Sequence, residues 1–293
     1  MHLCLAAIYI FVFYLSLMIE KIAMNCVAIM KSRYKTRDKI RIFKVLSVLY
    51  LKSRLNRNDS RAVTYNILGF VVTAPDYSTL NYLFKEIFLS EEYYFKSNHT
   101  KPSIADCGAN IGMSILYFKF LYPDCRIVAF EPNPFAFALL TRNIAQNNLK
   151  NIDLHNIGLS DVKRTVQFFV GDDKGGLSSS MIRQRGGKNV VDIQTDRLSD
   201  FVQNASFDLI KMDIEGAETQ VLNDLVSTGK LGRSERYIIE YHHKIDQKKS
   251  FLSAFVTPFE EIGFEYNLRT TYQQTGDFQD VLLNFYRDAS QEG

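Results

Sequence analysis

SIADCGANIGMSILYFKFL, residues 103–121, packs a short apolar run, a glycine turn and an apolar helical stretch into one unit. Ser103-Ile104-Ala105 leads into Asp106-x-Gly108-x-Asn110-x-Gly112. Ile115, Leu116 and Phe118 then recur at a spacing that gives a helix an inner face. Gly108 allows a tight turn, and Gly112 allows the helix to approach the strand closely. A second strand is expected over Arg126–Phe130, ending in Glu131-Pro132, with a helix over Pro134–Asn148 that has proline in its first turn. An acid at the end of that second strand can accept hydrogen bonds from both hydroxyls of a ribose, and its separation from Asp106 is close to what such folds need.

The same alternation extends in both directions. Asn66–Thr73 reads as a strand, Tyr77–Phe88 as a helix, and Phe207–Met212 as a fourth strand. Short apolar runs alternating with helical stretches describe an α/β fold around a mainly parallel sheet, whose ligands sit at the carboxyl ends of the strands. An insert over Arg164–Val191 carries a strand, Val166–Val170, then a glycine-serine loop. Ser178 and Ser179 there either contact a ligand or belong to a plain hairpin loop. Arg183, Arg185 and Lys188 either face an acidic substrate or form a solvated charge run.

Two cofactors compete for the glycine loop. A dinucleotide calls for G-x-G-x-x-G, which brings its pyrophosphate against bare backbone at a helix start. This chain has D-x-G-x-N-x-G instead, with an acid at the end of the first strand. That acid repels a pyrophosphate and suits an ammonium group. S-adenosylmethionine carries an ammonium, a sulfonium and a ribose without phosphate, so the residues favour it.

Ile104-Ala-Asp-Cys-Gly-Ala-Asn-Ile-Gly112, followed by Ala129-Phe-Glu-Pro132, resembles the FkbM-type S-adenosylmethionine-dependent methyltransferases. The resemblance continues in order through Gly158-Leu-Ser-Asp161, Gly175-Gly-Leu-Ser-Ser-Ser180 and Thr195-Asp-Arg-Leu198. It then takes in Asp208-Leu-Ile-Lys-Met-Asp-Ile-Glu-Gly-Ala-Glu218, Ile238-Ile-Glu-Tyr-His242 and Val281-Leu-Leu-Asn284. It covers roughly residues 65–287, and the ordered set is more specific than any one motif. It implies a Rossmann-like class I methyltransferase fold, a mainly parallel seven-stranded sheet with helices on both faces and an antiparallel last strand over Gln279–Tyr286, and methyl transfer usually to a hydroxyl oxygen. Cys107 stands where the family more often has an aliphatic residue. It is small and apolar enough to keep the site intact.

With that resemblance, Asp106, Gly108, Asn110 and Gly112 are expected to form the loop under the methionine part of the cofactor, and Glu131 to hold the ribose. Gly158 and Leu159, with Ile157, are expected to flank the adenine or serve as core. Asp213 and Glu215 end the fourth strand, where the methyl group is passed. Glu240 and His242 end the fifth strand, on one side of it by alternation. Asp213 or His242 is the expected general base, and Glu218 is either a helix cap or a catalytic acid. The cluster's oxygens suit Mg²⁺ and suit a metal-free base network equally, and no metal-ligand spacing decides between them.

Composition sets the outer bounds. The 293 residues are 46% hydrophobic and 13% aromatic, enough for a large core and incompatible with disorder. Four cysteines without a CxxC pair exclude a zinc ribbon and a disulfide scaffold. The net charge of +3 is concentrated: Lys31–Arg57 holds about ten Lys or Arg against the single acid Asp38, which leaves the remainder acidic. A nucleic acid is therefore not an expected partner. Leu3–Ile19 is an apolar run near the lower length limit of a membrane-spanning helix, and Ile22–Met30 is a second apolar stretch. Three segments are expected: an apolar membrane-associated helix over 1–30, a basic amphipathic linker over 31–60, and the methyltransferase domain over 61–293. The basic block places that domain on the cytoplasmic membrane face, where residues 1–60 meet the lipid surface. The other reading is a helical hairpin that caps the domain in a soluble cytoplasmic protein. The expected acceptor is a small-molecule or glycan hydroxyl, on a saccharide, glycolipid or lipid-linked metabolite. Competing functions are an NAD-dependent oxidoreductase and a membrane-anchored nucleoside-binding module without catalysis.

Overall fold

The computed structural model describes residues 23–56, 61–171, 179–181, 187–202, 206–243, 251–270 and 279–287. Residues 23–31 are helical. Helix α1 follows over Thr36–Leu55, then a hairpin of β1 (Val63–Ile67) and β2 (Phe70–Ala74), and α2 (Tyr77–Phe84), which runs into a π-helical turn at Lys85–Leu89. Next come β3 (Ser103–Cys107), α3 (Met113–Leu121), β4 (Arg126–Phe130), α4 (Pro134–Gln146) and β5 (Ile152–His155). Three short strands form a separate sheet: β6 (Gly158–Ser160), β7 (Arg164–Val170) and β8 (Asn189–Arg197). The chain returns through β9 (Leu209–Met212), α5 (Glu218–Ser227), β10 (Arg236–His243), α6 (Leu252–Glu261), β11 (Glu265–Thr270) and β12 (Gln279–Tyr286).

The main sheet has seven strands in the order β11-β12-β10-β9-β3-β4-β5. Strands β3, β4, β5, β9 and β10 run parallel, and β12 pairs antiparallel with both β10 and β11. Alternation along the central strands divides the core in two. Ile104, Ile127, Ala129, Leu209 and Ile238 face one layer, packed with α1 to α4. Ala105, Cys107, Ile210, Met212 and Ile239 face the other, packed with α5 and α6. Burial pushes the Cys107 thiol well above its ordinary value, so the thiol is inert packing. After β3 the chain proceeds outward to β4 on one side, while β9 joins β3 on the other. That reversal opens a crevice at the carboxyl ends of β3 and β9.

Two local readings change. The stretch Asn66–Thr73 is no single strand: Leu68 (φ 55°) and Gly69 (φ 108°) form a two-residue turn between β1 and β2. Turns that match the twist of paired strands need positive φ at both central positions, and here one of them is a leucine. The basic stretch over 31–60 contains α1, which buries Ile42, Val45, Leu46 and Leu49 in the same core as β3 and β4, while Ile40 and Phe43 stay exposed. Lys31, Arg33, Lys35, Arg37 and Lys44 remain on the surface. No described helix is long and apolar enough to cross a membrane. The apolar run Leu3–Ile19 lies outside the described residues.

Leu49 is fully buried. Leu49→Ala is expected to destabilise the whole chain by about 2–5 kcal/mol in urea unfolding, the range for a core leucine truncated to alanine. A loss below about 0.5 kcal/mol, typical of a surface change, would show that α1 is not part of the domain's core.

Candidate active site

A cleft partly open to solvent lies at the carboxyl ends of β3, β4, β9 and β10. Its floor is the Gly108–Gly112 loop. Gly108 has φ +84°, and a Cβ on it would lie 1.8 Å from the carbonyl oxygen of Asp213. A Cβ on Gly112 would lie 2.8 Å from Leu140 Cδ1, so this glycine seats α3 against α4 and does not itself line the cleft. Every backbone N–H from Gly108 to Gly112 is engaged inside the protein. Gly108 and Ala109 donate to the Phe130 carbonyl, Asn110 to Glu131 Oε2 at 2.8 Å, Ile111 to Asn110 Oδ1, and Gly112 to the Ala109 carbonyl.

Glu131 caps the end of β4. Its other oxygen, Oε1, accepts from the Asn133 N–H at 2.8 Å. Burial raises its pKa to about 7, against the partial opposition of the Asn133 and Asn110 N–H groups. Glu131, Ile157, Gly158 and Leu159 all line the cleft, with Phe130, Met113 and Phe168 adding apolar surface. Ser179 lines it too, and its Oγ accepts from Asn133 Nδ2 at 3.3 Å. Ser178, Arg183 and Arg185 lie outside the described residues, and Lys188 is exposed away from the cleft.

Asp106 is placed differently from the sequence expectation. It is fully buried beneath the loop and is absent from the cleft wall. Its Oδ2 accepts from Ser114 Oγ, and Oδ1 lies 3.3 Å from Lys211 Nζ. Lys211, 1% exposed, also donates to the Gly108 carbonyl at 2.6 Å, approaches Asp213 Oδ2 at 3.9 Å and lies 5.0 Å from the centre of the Tyr93 ring. Burial alone would lower its pKa, but Asp106 and Asp213 outweigh that and raise it, so a fixed ammonium ties the loop to both acids.

The outer part of the cleft is acidic. Asp213, Glu215, Glu240, Glu86 and Asp280 line it. Asp213 accepts from the Tyr93 hydroxyl at 3.2 Å. Burial, then Asp213, lifts Glu86 to about 8. Burial, then Asp213, raises Glu240 well above the carboxylate range, although His242 opposes the rise. Sequence reading missed Glu86, Tyr82, Tyr93 and Asp280. Glu86 sits in the π-helical turn after α2, and Tyr93 follows that turn, far along the chain from its partner Asp213. Only the fold brings them to the cleft.

His242 also departs from expectation. It is buried behind the wall, with Nδ1 2.8 Å from Glu218 Oε1 and Nε2 3.4 Å from Glu215 Oε2. Burial alone would lower its pKa, but Glu218, Glu215 and Asp213 raise it to about 10. An imidazolium at neutral pH has no lone pair to receive a substrate proton, so the role of general base does not fit this side chain as it stands. Glu218 heads α5 and also accepts from the Ile214 and Gly216 N–H groups, which fixes the Asp213–Glu218 turn, where Glu215 has φ 55°.

The chain is similar to several known proteins. The chain is 33% identical over 173 residues to the methyltransferase sdnD of Sordaria araneosa, covering 48% of this chain and 67% of that one. It is 31% identical over 138 residues to the 2-O-methyltransferase NoeI of Sinorhizobium fredii, covering 41% of this chain and 56% of that one. A crystal structure of a methyltransferase FkbM from Methylobacillus flagellatus KT aligns over 85% of this chain and 60% of its own, at 16% identity and a TM-score of 0.42. The chain thus spans about two thirds or less of the length of each. The methyltransferase FkbM domain model matches residues 106–282, from the acid beneath the glycine loop to the last strand of the sheet. With more than half of its length inside that match, the chain belongs to the FkbM methyltransferase family.

Proposed function

We propose that the chain transfers the methyl group of S-adenosylmethionine to a hydroxyl oxygen of a small molecule, with saccharides and lipid-linked metabolites inside that class. The carrying observation is the state of the glycine loop. All its N–H groups from Gly108 to Gly112 are engaged, and the wall beside it is acidic. A pyrophosphate needs free N–H donors and no facing carboxylates, whereas a sulfonium needs neither donor and is attracted by the acids. This opposes the NAD reading. The family membership supports methyl transfer, and the name of the NoeI relative supports an oxygen acceptor.

In this reading Glu131 accepts from the ribose hydroxyls, Ile157, Gly158 and Leu159 flank the adenine, and Asp106 acts from below through Ser114 and Lys211. The acceptor oxygen attacks the methyl carbon in line with the C–S bond. The O–C bond forms as the C–S bond breaks, and its electron pair leaves sulfur as a neutral thioether. The hydroxyl proton passes to Asp213, the acid open to the cleft and held by Tyr93. Holding the reactants in line supplies much of the acceleration. An open, oriented Asp213 speaks against a binding module without catalysis.

Calorimetric titration of the full chain with S-adenosylmethionine, with NAD as control, is expected to show saturable binding of the first alone. Ionised Glu131 accepts hydrogen bonds and protonated Glu131 does not accept them equally. Affinity is therefore expected to strengthen as pH rises through about 7. Glu131→Ala is expected to weaken binding about 10–100-fold, as loss of charge-assisted hydrogen bonds does. Binding of NAD alone would overturn the reading.

A further inference from the structure

The outer end of the cleft gathers acids around one nitrogen. Two groups of donor atoms, Asp213–Glu215–His242 and Glu240–His242–Asp280, each lie within 4.8 Å of one another, and His242 belongs to both. His242 Nε2 stands 3.4 Å from Glu215 Oε2 and 3.9 Å from Asp280 Oδ1. The residue is 2% exposed, and Nε2 makes no hydrogen bond among the described residues. The other ring nitrogen is fixed, with Nδ1 2.8 Å from Glu218 Oε1. Glu218 is in turn held by two backbone N–H groups. A buried carboxylate on one nitrogen of an imidazole fixes the ring as metal-ligating histidines are fixed, and a cation binding Nε2 would displace its proton to solvent and take up the lone pair that is freed.

We propose that His242 Nε2, Glu240 and Asp280 bind a divalent first-row transition cation, with Glu215 and Asp213 completing its surroundings directly or through water. At bond lengths near 2.0–2.2 Å, neighbouring ligand atoms lie about 3–3.5 Å apart. The His242–Glu215 pair already has that separation, and Asp280 reaches it with a shift of a few tenths of an ångström. One imidazole among carboxylates suits Mn²⁺, Fe²⁺ or Zn²⁺ better than Mg²⁺, which prefers oxygen throughout. Four of the five groups line the cleft, so an open coordination position faces the space proposed for the acceptor, where the ion would acidify a bound hydroxyl. That last link rests on the proposed methyl transfer, whereas the site itself rests on its geometry.

The test is titration of the EDTA-treated, dialysed full chain with Mn²⁺, read by loss of the free-ion electron paramagnetic resonance signal. About one ion per chain is expected to bind saturably. Asp280→Asn and His242→Asn are each expected to weaken binding at least about tenfold, with folding verified by circular dichroism and a cooperative melt. Should His242→Asn fail to fold, Asp280→Asn carries the test. No saturable Mn²⁺ binding by the wild-type chain, or wild-type affinity in the variants, overturns the site. Displacement of Mn²⁺ by equimolar Mg²⁺ overturns the nitrogen ligand. The cofactor titration, run with EDTA present, reports on the methyltransferase reading separately, so either reading can fail alone.

Discussion

Gly108→Ala is expected to abolish cofactor binding and to destabilise the fold by about 2–6 kcal/mol, combining backbone strain with overpacking. The new Cβ would lie 1.8 Å from the Asp213 carbonyl oxygen and 2.9 Å from its carbonyl carbon. Both are backbone atoms at the end of β9, so no side chain can rotate away. The loop and β9 would have to part, although they are joined by the Asp213 N–H to Cys107 carbonyl bond at 3.0 Å. The φ of +84° adds strain for any residue with a Cβ. Gly229→Ala is the control. It too has positive φ (+65°) but meets nothing within 4 Å, so about 1–2 kcal/mol of conformational strain is all it should show. Calorimetry with S-adenosylmethionine and urea unfolding measure both variants. Equal stability of the two would contradict the close approach of the loop to β9.

Lys211→Met is expected to destabilise the chain by about 3–5 kcal/mol, because it strips the counter-charge from a buried acid. Asp106 would keep only its Ser114 hydrogen bond in a fully buried position, and the Gly108 carbonyl would lose its donor. The pKa of Lys211 is raised in the folded chain, so its contribution is complete throughout the neutral range and is lost only as pH rises through that raised value. The combination Lys211→Met with Asp106→Asn should recover most of the loss, since removing a whole buried pair is often close to neutral. Denaturant titration of the two single variants and the double variant gives the coupling energy. Additive losses would mean that the two charges do not depend on each other.

The glycine motif made the centre of the fold readable. Strand β4, the acid at its end and the Pro134 start of α4 follow directly from apolar runs, caps and breakers, whereas the antiparallel direction of β12 follows from the family resemblance. The hairpin was hidden because Leu68, apolar and unsuited to positive φ, occupies a turn position and makes β1 and β2 look continuous. The positions of Asp213, Glu215 and Glu131 just past strand ends were legible because they depend only on topology, whereas Glu240 lies inside β10, which runs on to His243. What Asp106 and His242 do was not. Asp106 turns under the loop because a lysine from another strand awaits it there. The charge of His242 is set by Glu218, a residue that sequence alone leaves open between a helix cap and a catalytic role. Glu86 and Tyr93 carry no local signature, and their place in the cleft comes from long-range packing.

The origin of the cleft's two halves has one more consequence. Central strands and their loops make the part assigned to the cofactor, while Glu86 and Tyr82 come from the α2 region, Met181 from beside β7 and Asp280 from the start of β12. The β7–β8 pair belongs to a separate small sheet, with its own apolar contacts among Phe168, Val170 and Ile193. Lengthening its connection leaves the pairing of the seven-stranded sheet untouched, and each doubling of loop length adds only about 0.6 kcal/mol of closure entropy. The rim of the cleft can therefore be remodelled without disturbing the glycine loop or the order of the seven strands.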